Sequence, residues 1–148
     1  MPLQKDLREF IESLNSHHVE YLIVGAFALA FHGVPRSTGD IDILVRRSAE
    51  NASRIESVLV DFSFASLGLT AADFIDADQV IQLGQVPNRI DLLTSITGVG
   101  FDEAWAGRVA ASLHDIPVHF LGRECLIRNK RATGRTQDLA DLEALGAR

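Results

Sequence analysis

Residues 40–45 of the chain read Asp-Ile-Asp-Ile-Leu-Val, an alternation of acidic and apolar side chains. The β-branched residues predict a strand over Ile41–Val45, and side chains two positions apart in a strand share a face. Asp40 and Asp42 are therefore expected to project together, while the isoleucines between them point into the core. Two adjacent carboxylates repel each other, and a bound Mg²⁺, which takes oxygen ligands, would reverse that penalty. The alternative is a solvated edge strand that carries two acids.

A third acid lies in a second apolar segment. Arg89–Leu93 reads Arg-Ile-Asp-Leu-Leu and predicts a short strand with Asp91 at its centre. An acid among apolar residues needs a partner when it is even partly buried, and a neighbouring strand would bring Asp91 to the face of Asp40 and Asp42. Three carboxylates suit a two-metal phosphoryl-transfer site. The alternative is an ion pair between Asp91 and Arg89 at the end of the strand.

A glycine upstream separates a predicted strand from a predicted helix. The apolar run Tyr21–Val24 predicts a short buried strand, and Ala26–Phe31, rich in helix-forming residues, predicts a helix. Backbone N–H groups at the start of a helix bind phosphate, and a glycine lets the phosphate approach closely. Gly25 is therefore either part of a phosphate site or a plain turn between strand and helix.

The rest of the chain alternates between helical and strand patterns. Apolar residues at helical spacing predict an amphipathic first helix between Leu3 and Leu14. Helices around a few short strands predict a single domain, residues 1–148, of the α/β (α+β) class with a short mixed sheet and flanking helices. The other predicted helices are Ala49–Val60, Thr70–Asp76 (a weakly defined helix or loop), Phe101–Gly107, Arg123–Ala132 and Arg135–Leu145. The other predicted strands are Gln79–Leu83, which the turn Gly84–Asn88 joins to Arg89–Leu93 as a hairpin, Arg108–Leu113 and Ile116–Leu121.

Composition narrows the class of protein. The net charge of −6 argues against a protein that coats nucleic acid with a broad basic face. The longest apolar run, Tyr21–Phe31, is too short to span a bilayer, and Met1–Asn15 lacks the apolar run of a signal peptide, so we expect a cytoplasmic protein outside membranes. Cys125 is the single cysteine, which excludes an internal disulfide. The P-loop, the dinucleotide-binding glycine motif, the nucleophile elbow and the HExxH zinc motif are all missing from the sequence.

Taken together, the glycine turn and the acids resemble a known signature. Val24-Gly25-Ala26, a spacer of thirteen residues and Asp40-Ile41-Asp42-Ile43 are similar to the motif of the DNA polymerase β-like nucleotidyltransferase superfamily, with Asp91 in the place of its third acid. The run from Gly25 to Asp42 resembles the small prokaryotic branch that includes the AbiE-type toxin nucleotidyltransferases. The tail from Asn129 to Leu142 is similar to the end of that branch, so the resemblance covers most of the chain.

This resemblance implies a metal-dependent enzyme that moves a nucleoside monophosphate from a nucleoside triphosphate, such as ATP, to an acceptor hydroxyl. Mg²⁺ or Mn²⁺ would be held by Asp40, Asp42 and Asp91, and Asp91 would help to deprotonate the acceptor. The acceptor would be a transfer RNA end, a protein or a small molecule, and the toxin branch implies an antitoxin protein as a partner. Ala26 departs from the pattern, which has Gly or Ser there, and lacks a hydroxyl for phosphate. The alternative is therefore a catalytically impaired binding module with the same fold that acts as a partner protein.

Four further polar residues are candidates for phosphate contacts. Arg36 and Thr38 precede the acids in a predicted loop, and both a guanidinium and a hydroxyl can donate to phosphate. Lys130 and Arg135 flank Gly134, where a glycine turn would fold both side chains back towards the acidic strand. For Arg36 and Thr38 the alternative is a solvated loop, and for the two tail residues a solvated helix face. The predicted nucleotide-binding set is Gly25, Ala26, Arg36, Thr38, Lys130 and Arg135.

Overall fold

A mixed sheet of six strands, with helices packed on it, organises the described part of the chain. The computed structural model describes residues 5–36, 39–62, 68–84 and 89–147. The helices there are α1 (Lys5–Ser16), α2 (Gly25–Phe31), α3 (Ala49–Asp61), α4 (Phe101–Ala106), α5 (Arg123–Thr133) and α6 (Thr136–Ala144). The strands are β1 (Tyr21–Val24), β2 (Ile41–Val45), β3 (Val80–Leu83), β4 (Ile90–Leu93), β5 (Val109–Leu113) and β6 (Ile116–Phe120). The predicted α/β class with a short mixed sheet is confirmed.

The strand order places the acidic strand near the middle of the sheet. The order is β3-β4-β2-β1-β6-β5. β2 pairs with β1 in antiparallel fashion and with β4 in parallel fashion, while β1 and β6 are also parallel. The pairs β3–β4 and β5–β6 are antiparallel, which confirms the predicted strand pairing within residues 79–93. β2 is therefore not an edge strand, and Asp42 has a paired strand on each side.

The two faces of the sheet are covered by different helices. Ile41 and Ile43 are fully buried in the larger apolar cluster, which includes residues of α1 and α3. Leu44 lies in a second cluster with Leu126 of α5 and Leu142 of α6. Because side chains alternate along a strand, Asp42 shares a face with Leu44, not with the isoleucines. The acids therefore lie on the side of the sheet that α5 and α6 cover.

Most element boundaries differ from the predicted ones by one or two residues. The weakly predicted segment Thr70–Asp76 contains a short 3₁₀ helix, Ala71–Phe74. α2 begins at Gly25 itself, and α6 begins at Thr136, after a cap at Arg135. Within the described residues, no helix has both the length and the apolar content that crossing a membrane requires.

Candidate active site

Strand pairing places the second and third acids side by side. β2 and β4 run parallel, and Asp42 lies directly opposite Asp91 in their register. On its other side Asp42 lies opposite Val24, the last residue of β1. Residues directly opposite each other on neighbouring strands place their side chains on the same face of the sheet. The central strands therefore present two carboxylates beside the turn that starts α2.

Gly25 begins α2 at a position where a side chain does not fit. Its φ angle is +64°, a left-handed conformation that residues with a Cβ adopt only at a cost. A Cβ built at this position would also lie far inside van der Waals contact with Oδ2 of Asp42. The glycine turn and the acidic strand, which are the two halves of the sequence signature, thus contact each other directly.

Asp40 joins this pair from the residue before β2. Its Oδ1 accepts a hydrogen bond from the backbone N–H of Arg89 at 3.1 Å, and its Oδ2 lies 3.4 Å from the Nη2 atom of the same arginine. Asp40 is half-buried, and its charge contributes to the raised pKa of Asp42, so the two acids are electrostatic neighbours. We refer to Asp40, Asp42, Asp91 and Arg89 as the acid cluster.

Arg89 grips Asp91 at two points. Its Nε donates to Oδ1 at 2.7 Å and its Nη2 donates to Oδ2 at 3.1 Å, the geometry of a strong charge-assisted pair. The ion pair offered as the alternative for Asp91 therefore exists. It is not a solvated surface pair, because the side chain of Asp91 is only 9% exposed and that of Arg89 25%. Asp91 both pairs with Arg89 and lies beside Asp42.

Asp42 has a strongly shifted acidity. Burial, the charge of Asp91, a hydrogen bond with Asp91 and the charge of Asp40 together raise the pKa of Asp42 from 3.8 to about 6, while Arg89 opposes this increase. Within the cluster, three carboxylates share one guanidinium. Such an arrangement carries excess negative charge in a partly desolvated setting, and it favours either a proton or a cation.

The donor chemistry of the cluster fits Mg²⁺ or Mn²⁺, because both are hard cations that take carboxylate oxygens. Its arrangement is not that of a finished metal site. Among the residues that the structure describes, no group of three or more His, Cys, Asp or Glu side chains is placed to hold a metal ion. The guanidinium of Arg89 contacts both oxygens of Asp91 and lies 3.4 Å from Oδ2 of Asp40.

The predicted phosphate ligands near the acids have different surroundings. Ala26 lies in the first turn of α2, next to Gly25. Thr38 falls outside the described residues. Arg36 donates through both terminal nitrogens to Asp141 of α6, whose side chain is only 2% exposed. Arg36 therefore ties the loop that precedes the acids to the last helix.

Lys130 and Arg135 meet at the start of α6. The chain turns at Gly134, with φ +62°, and this turn brings both side chains to Asp138. Lys130 Nζ also donates to Asp141 at 2.9 Å. The predicted turn is present, but these contacts are with acids of α6, and the charges that shift the pKa of Asp42 are those of Asp91, Asp40 and Arg89. Contact of Lys130 and Arg135 with phosphate stays a prediction.

The two acids of α6 had no role in the sequence interpretation, although both are fully buried. Asp138 and Asp141 belong to a buried stripe with Leu142 and Leu145 at helical spacing. That spacing is the signal that could have placed them inside the protein, where each needs a cation. We call Arg36, Lys130, Arg135, Asp138 and Asp141 the helix network.

Comparisons with known proteins give the fold a name. No protein-family model and no curated protein matches the chain. The crystal structure of a putative nucleotidyltransferase from Thermotoga maritima aligns over 95% of this chain and 89% of its own, with a TM-score of 0.62 and 19% identity. An antigenic nucleotidyltransferase-like protein from Paracoccidioides brasiliensis aligns over 98% of this chain and 76% of its own, with a TM-score of 0.56 and 15% identity. The chain has the nucleotidyltransferase fold.

Sequence identities of 19% and 15% establish the fold alone. The reaction depends on the residues of the site. Both alignments extend over nearly the whole chain, so they include the helices as well as the sheet. Within this fold the acid cluster forms on β2 and β4 beside the start of α2. The helix network joins the loop before β2 and α5 to α6.

Proposed function

We propose that the protein transfers a nucleoside monophosphate from a nucleoside triphosphate to an acceptor hydroxyl, with the acid cluster as the active site. The observation that carries the proposal is the register of β2 and β4, which sets Asp42 opposite Asp91 beside Gly25. This arrangement occurs in a chain with the nucleotidyltransferase fold. A partly buried group of three carboxylates, in which the pKa of Asp42 is raised, has little structural benefit, and it suits phosphoryl chemistry.

In this proposal the acids of the cluster bind divalent cations, and one of them also accepts the proton of the acceptor hydroxyl. Asp40 and Asp42 would hold divalent cations, and Asp91 would share one of them and face the acceptor. The acceptor oxygen forms a bond to the α-phosphorus. The bond between the α-phosphorus and the oxygen that bridges it to the β-phosphorus breaks, and pyrophosphate leaves. The proton of the acceptor hydroxyl passes towards Asp91. Arg89 donates to both oxygens of Asp91, so it must release one of them before Asp91 can accept this proton.

Mg²⁺ or Mn²⁺, when bound, neutralises charge on the phosphate oxygens and lowers the pKa of the acceptor hydroxyl. The carboxylates supply the oxygen ligands that these ions prefer. Metal affinity should fall when Asp42 is protonated, because a metal ligand must be in its ionised form.

The triphosphate would lie along the turn at Gly25 and Ala26, where the backbone can approach it closely. Arg36 and Thr38 are further candidate ligands from the loop before β2. Lys130 and Arg135 would reach a phosphate only by giving up part of their hold on Asp138, since both contact it. Arg36 is likewise paired with Asp141. We rank Lys130 last, because its side chain is 11% exposed, against 31% for Arg36 and 72% for Arg135.

The resemblance to AbiE-type toxins suggests a transfer RNA end as the first acceptor to test, with a protein or a small molecule next. It also suggests a cytoplasmic protein with an antitoxin partner.

The proposal is tested by incubating the protein with each of the four labelled triphosphates, Mg²⁺ and a cell extract, and identifying the labelled product. Asp91→Asn should reduce turnover on the order of 10²-fold or more while triphosphate binding is mostly kept. Replacing Asp40 and Asp42 together with Asn should abolish Mn²⁺ binding in a calorimetric titration. Asp76→Asn, an exposed acid outside the cluster, is the matched control and should change neither.

Two results would contradict this function. Near-normal turnover in Asp91→Asn would reduce Asp91 to a partner of Arg89. Triphosphate binding with no transfer to any acceptor would favour the impaired binding module.

A further inference from the structure

Arg89 is the cation of the acid cluster, and it contacts the carboxylate oxygens that a metal ion would use. The guanidinium takes Oδ1 and Oδ2 of Asp91 at 2.7 and 3.1 Å and lies 3.4 Å from Oδ2 of Asp40. A divalent cation in the proposed site needs oxygens of these same two carboxylates. A divalent cation bound to these carboxylates would repel the guanidinium at this short range. Arg89 and a metal therefore compete for Asp91.

The backbone of Arg89 is held in place by a hydrogen bond, whereas its side chain is partly exposed. Its backbone N–H donates to Oδ1 of Asp40 at 3.1 Å, which ties the residue to the start of β2 across 49 positions of sequence. Its side chain is 25% exposed, and an arginine side chain can pivot on its flexible stem. The guanidinium can therefore leave Asp91 while the backbone remains beside the acids.

A guanidinium displaced from Asp91 would stay near the acid cluster and could bind a phosphate group there. It would remain within a side chain's length of Asp40, because its backbone stays in place. A nucleoside triphosphate in the proposed site brings about four negative charges, and planar guanidinium groups bind phosphate oxygens at two points. A free guanidinium at this position would meet a phosphate at short range.

We propose that Arg89 is an internal counter-ion of the acid cluster that a divalent cation displaces from Asp91 and Asp40, after which its guanidinium binds a phosphate of the nucleotide. The inference rests on the proposed function. It accounts for the packing of three acids around one guanidinium, and it adds Arg89 to the nucleotide-binding residues.

The competition is measured with Mn²⁺ alone, by calorimetric titration of the whole chain. Arg89→Gln should bind Mn²⁺ about tenfold more tightly than the wild type, because the competing charge is gone. Arg89→Lys keeps the charge without the two-point grip and should fall between the two. Arg54→Gln removes an equal charge from an exposed pair with Glu50 and should leave the affinity unchanged, which controls for net charge.

Thermal melts separate this role from a merely structural one. Without metal, Arg89→Gln should melt below the wild type, since the acids lose their counter-ion. Saturating Mn²⁺ should raise its melting temperature by more than it raises that of the wild type, because tighter binding stabilises the folded state more. With Mn²⁺ present, Arg89→Gln should bind a non-hydrolysable triphosphate several-fold more weakly, with a smaller loss at high salt.

The outcomes distinguish the inference from the function on which it rests. If the wild type binds Mn²⁺ through the acids and Arg89→Gln binds it equally or more weakly, Arg89 is a structural ion-pair partner and the inference is wrong. Unchanged triphosphate affinity in Arg89→Gln would remove the second half of it. If neither the wild type nor Arg89→Gln binds Mn²⁺, the proposed function and the inference fail together, whereas binding by Arg89→Gln and not by the wild type would support displacement.

Discussion

The acid cluster and the helix network are both partly buried groups of charged side chains, yet their charges are balanced in opposite ways. In the acid cluster three carboxylates face the single guanidinium of Arg89. In the helix network three cations surround the carboxylates of Asp138 and Asp141. The first group holds excess negative charge, and in the second each buried carboxylate contacts at least two cations.

The acidity of the carboxylates follows this balance. Burial and neighbouring acids raise the pKa of Asp42. Hydrogen bonds from Arg135 first, and also from Thr133 and Lys130, hold the pKa of Asp138 well below its usual range despite burial. Burial opposes the same effect at Asp141, where Lys130 and Arg36 prevail and lower the pKa. Breaking a compensated buried network is costly because it leaves an unpaired charge, whereas an undercompensated cluster is suited to bind a ligand.

The strongest test of this contrast removes the central cation of the helix network. Lys130→Met should destabilise the protein by about 3 kcal/mol, because it leaves two buried carboxylates without their shared ammonium. Urea unfolding at pH 7 measures the change. Arg54→Met, in an exposed pair, serves as the control and should cost less than about 1 kcal/mol. A loss of similar size in both variants would show that the network is not specially coupled.

The second test uses pH. Asp138→Asn should destabilise the protein by about 2 kcal/mol at pH 7. Because the pKa of Asp138 is lower in the folded state than its ordinary value of 3.8, the stabilisation from its charge is present above that value and is lost as the pH falls. The difference between the variant and the wild type should therefore shrink below about pH 4. A difference that stays constant from pH 7 to pH 3 would assign the effect to packing instead of charge.

A glycine-to-alanine pair tests the steric side of the acid cluster. Gly25→Ala should destabilise the protein by about 1–2 kcal/mol from the left-handed backbone alone, and it should further displace the carboxylate of Asp42. Gly68→Ala is matched in backbone conformation, with φ +73° against +64°, but a Cβ there meets no atom of the described residues within 4 Å. Thermal melts and Mn²⁺ titration of both variants should show a loss of metal binding only in Gly25→Ala.

The smallest expected effect has the opposite sign. Asp42→Asn should stabilise the metal-free protein by about 1 kcal/mol at pH 7, a value reduced for solvent screening because Asp42 is only partly buried. The folded-state pKa of about 6 lies above 3.8, so the wild type loses stability as the pH rises from about 4 to about 6. The advantage of the variant should therefore be full at pH 7 and absent near pH 4. Melting curves across this range measure it, and a destabilised variant at pH 7 would mean that the charge of Asp42 supports the fold.

Local patterns in the sequence were sufficient to predict the elements that carry the acids. The alternation in residues 40–45 predicted a strand with isoleucines in the core, and both Ile41 and Ile43 are fully buried. The predicted strand around Asp91 pairs beside it in register. The period of two in a strand and the breaking effect of glycine are properties of the local backbone, which is why they can be read without the fold.

Only the tertiary structure decided which charges meet. Arg89 reaches Asp40 across 49 positions of sequence, and Arg36 reaches Asp141 across 105. Lys130, a predicted phosphate ligand, contacts Asp138 and Asp141 of α6. Sequence spacing cannot predict such pairs, because they depend on strand register and on the face that a docked helix presents. Burial makes these pairs energetically important, because a charged side chain that is removed from water destabilises the fold unless it has a partner of opposite charge.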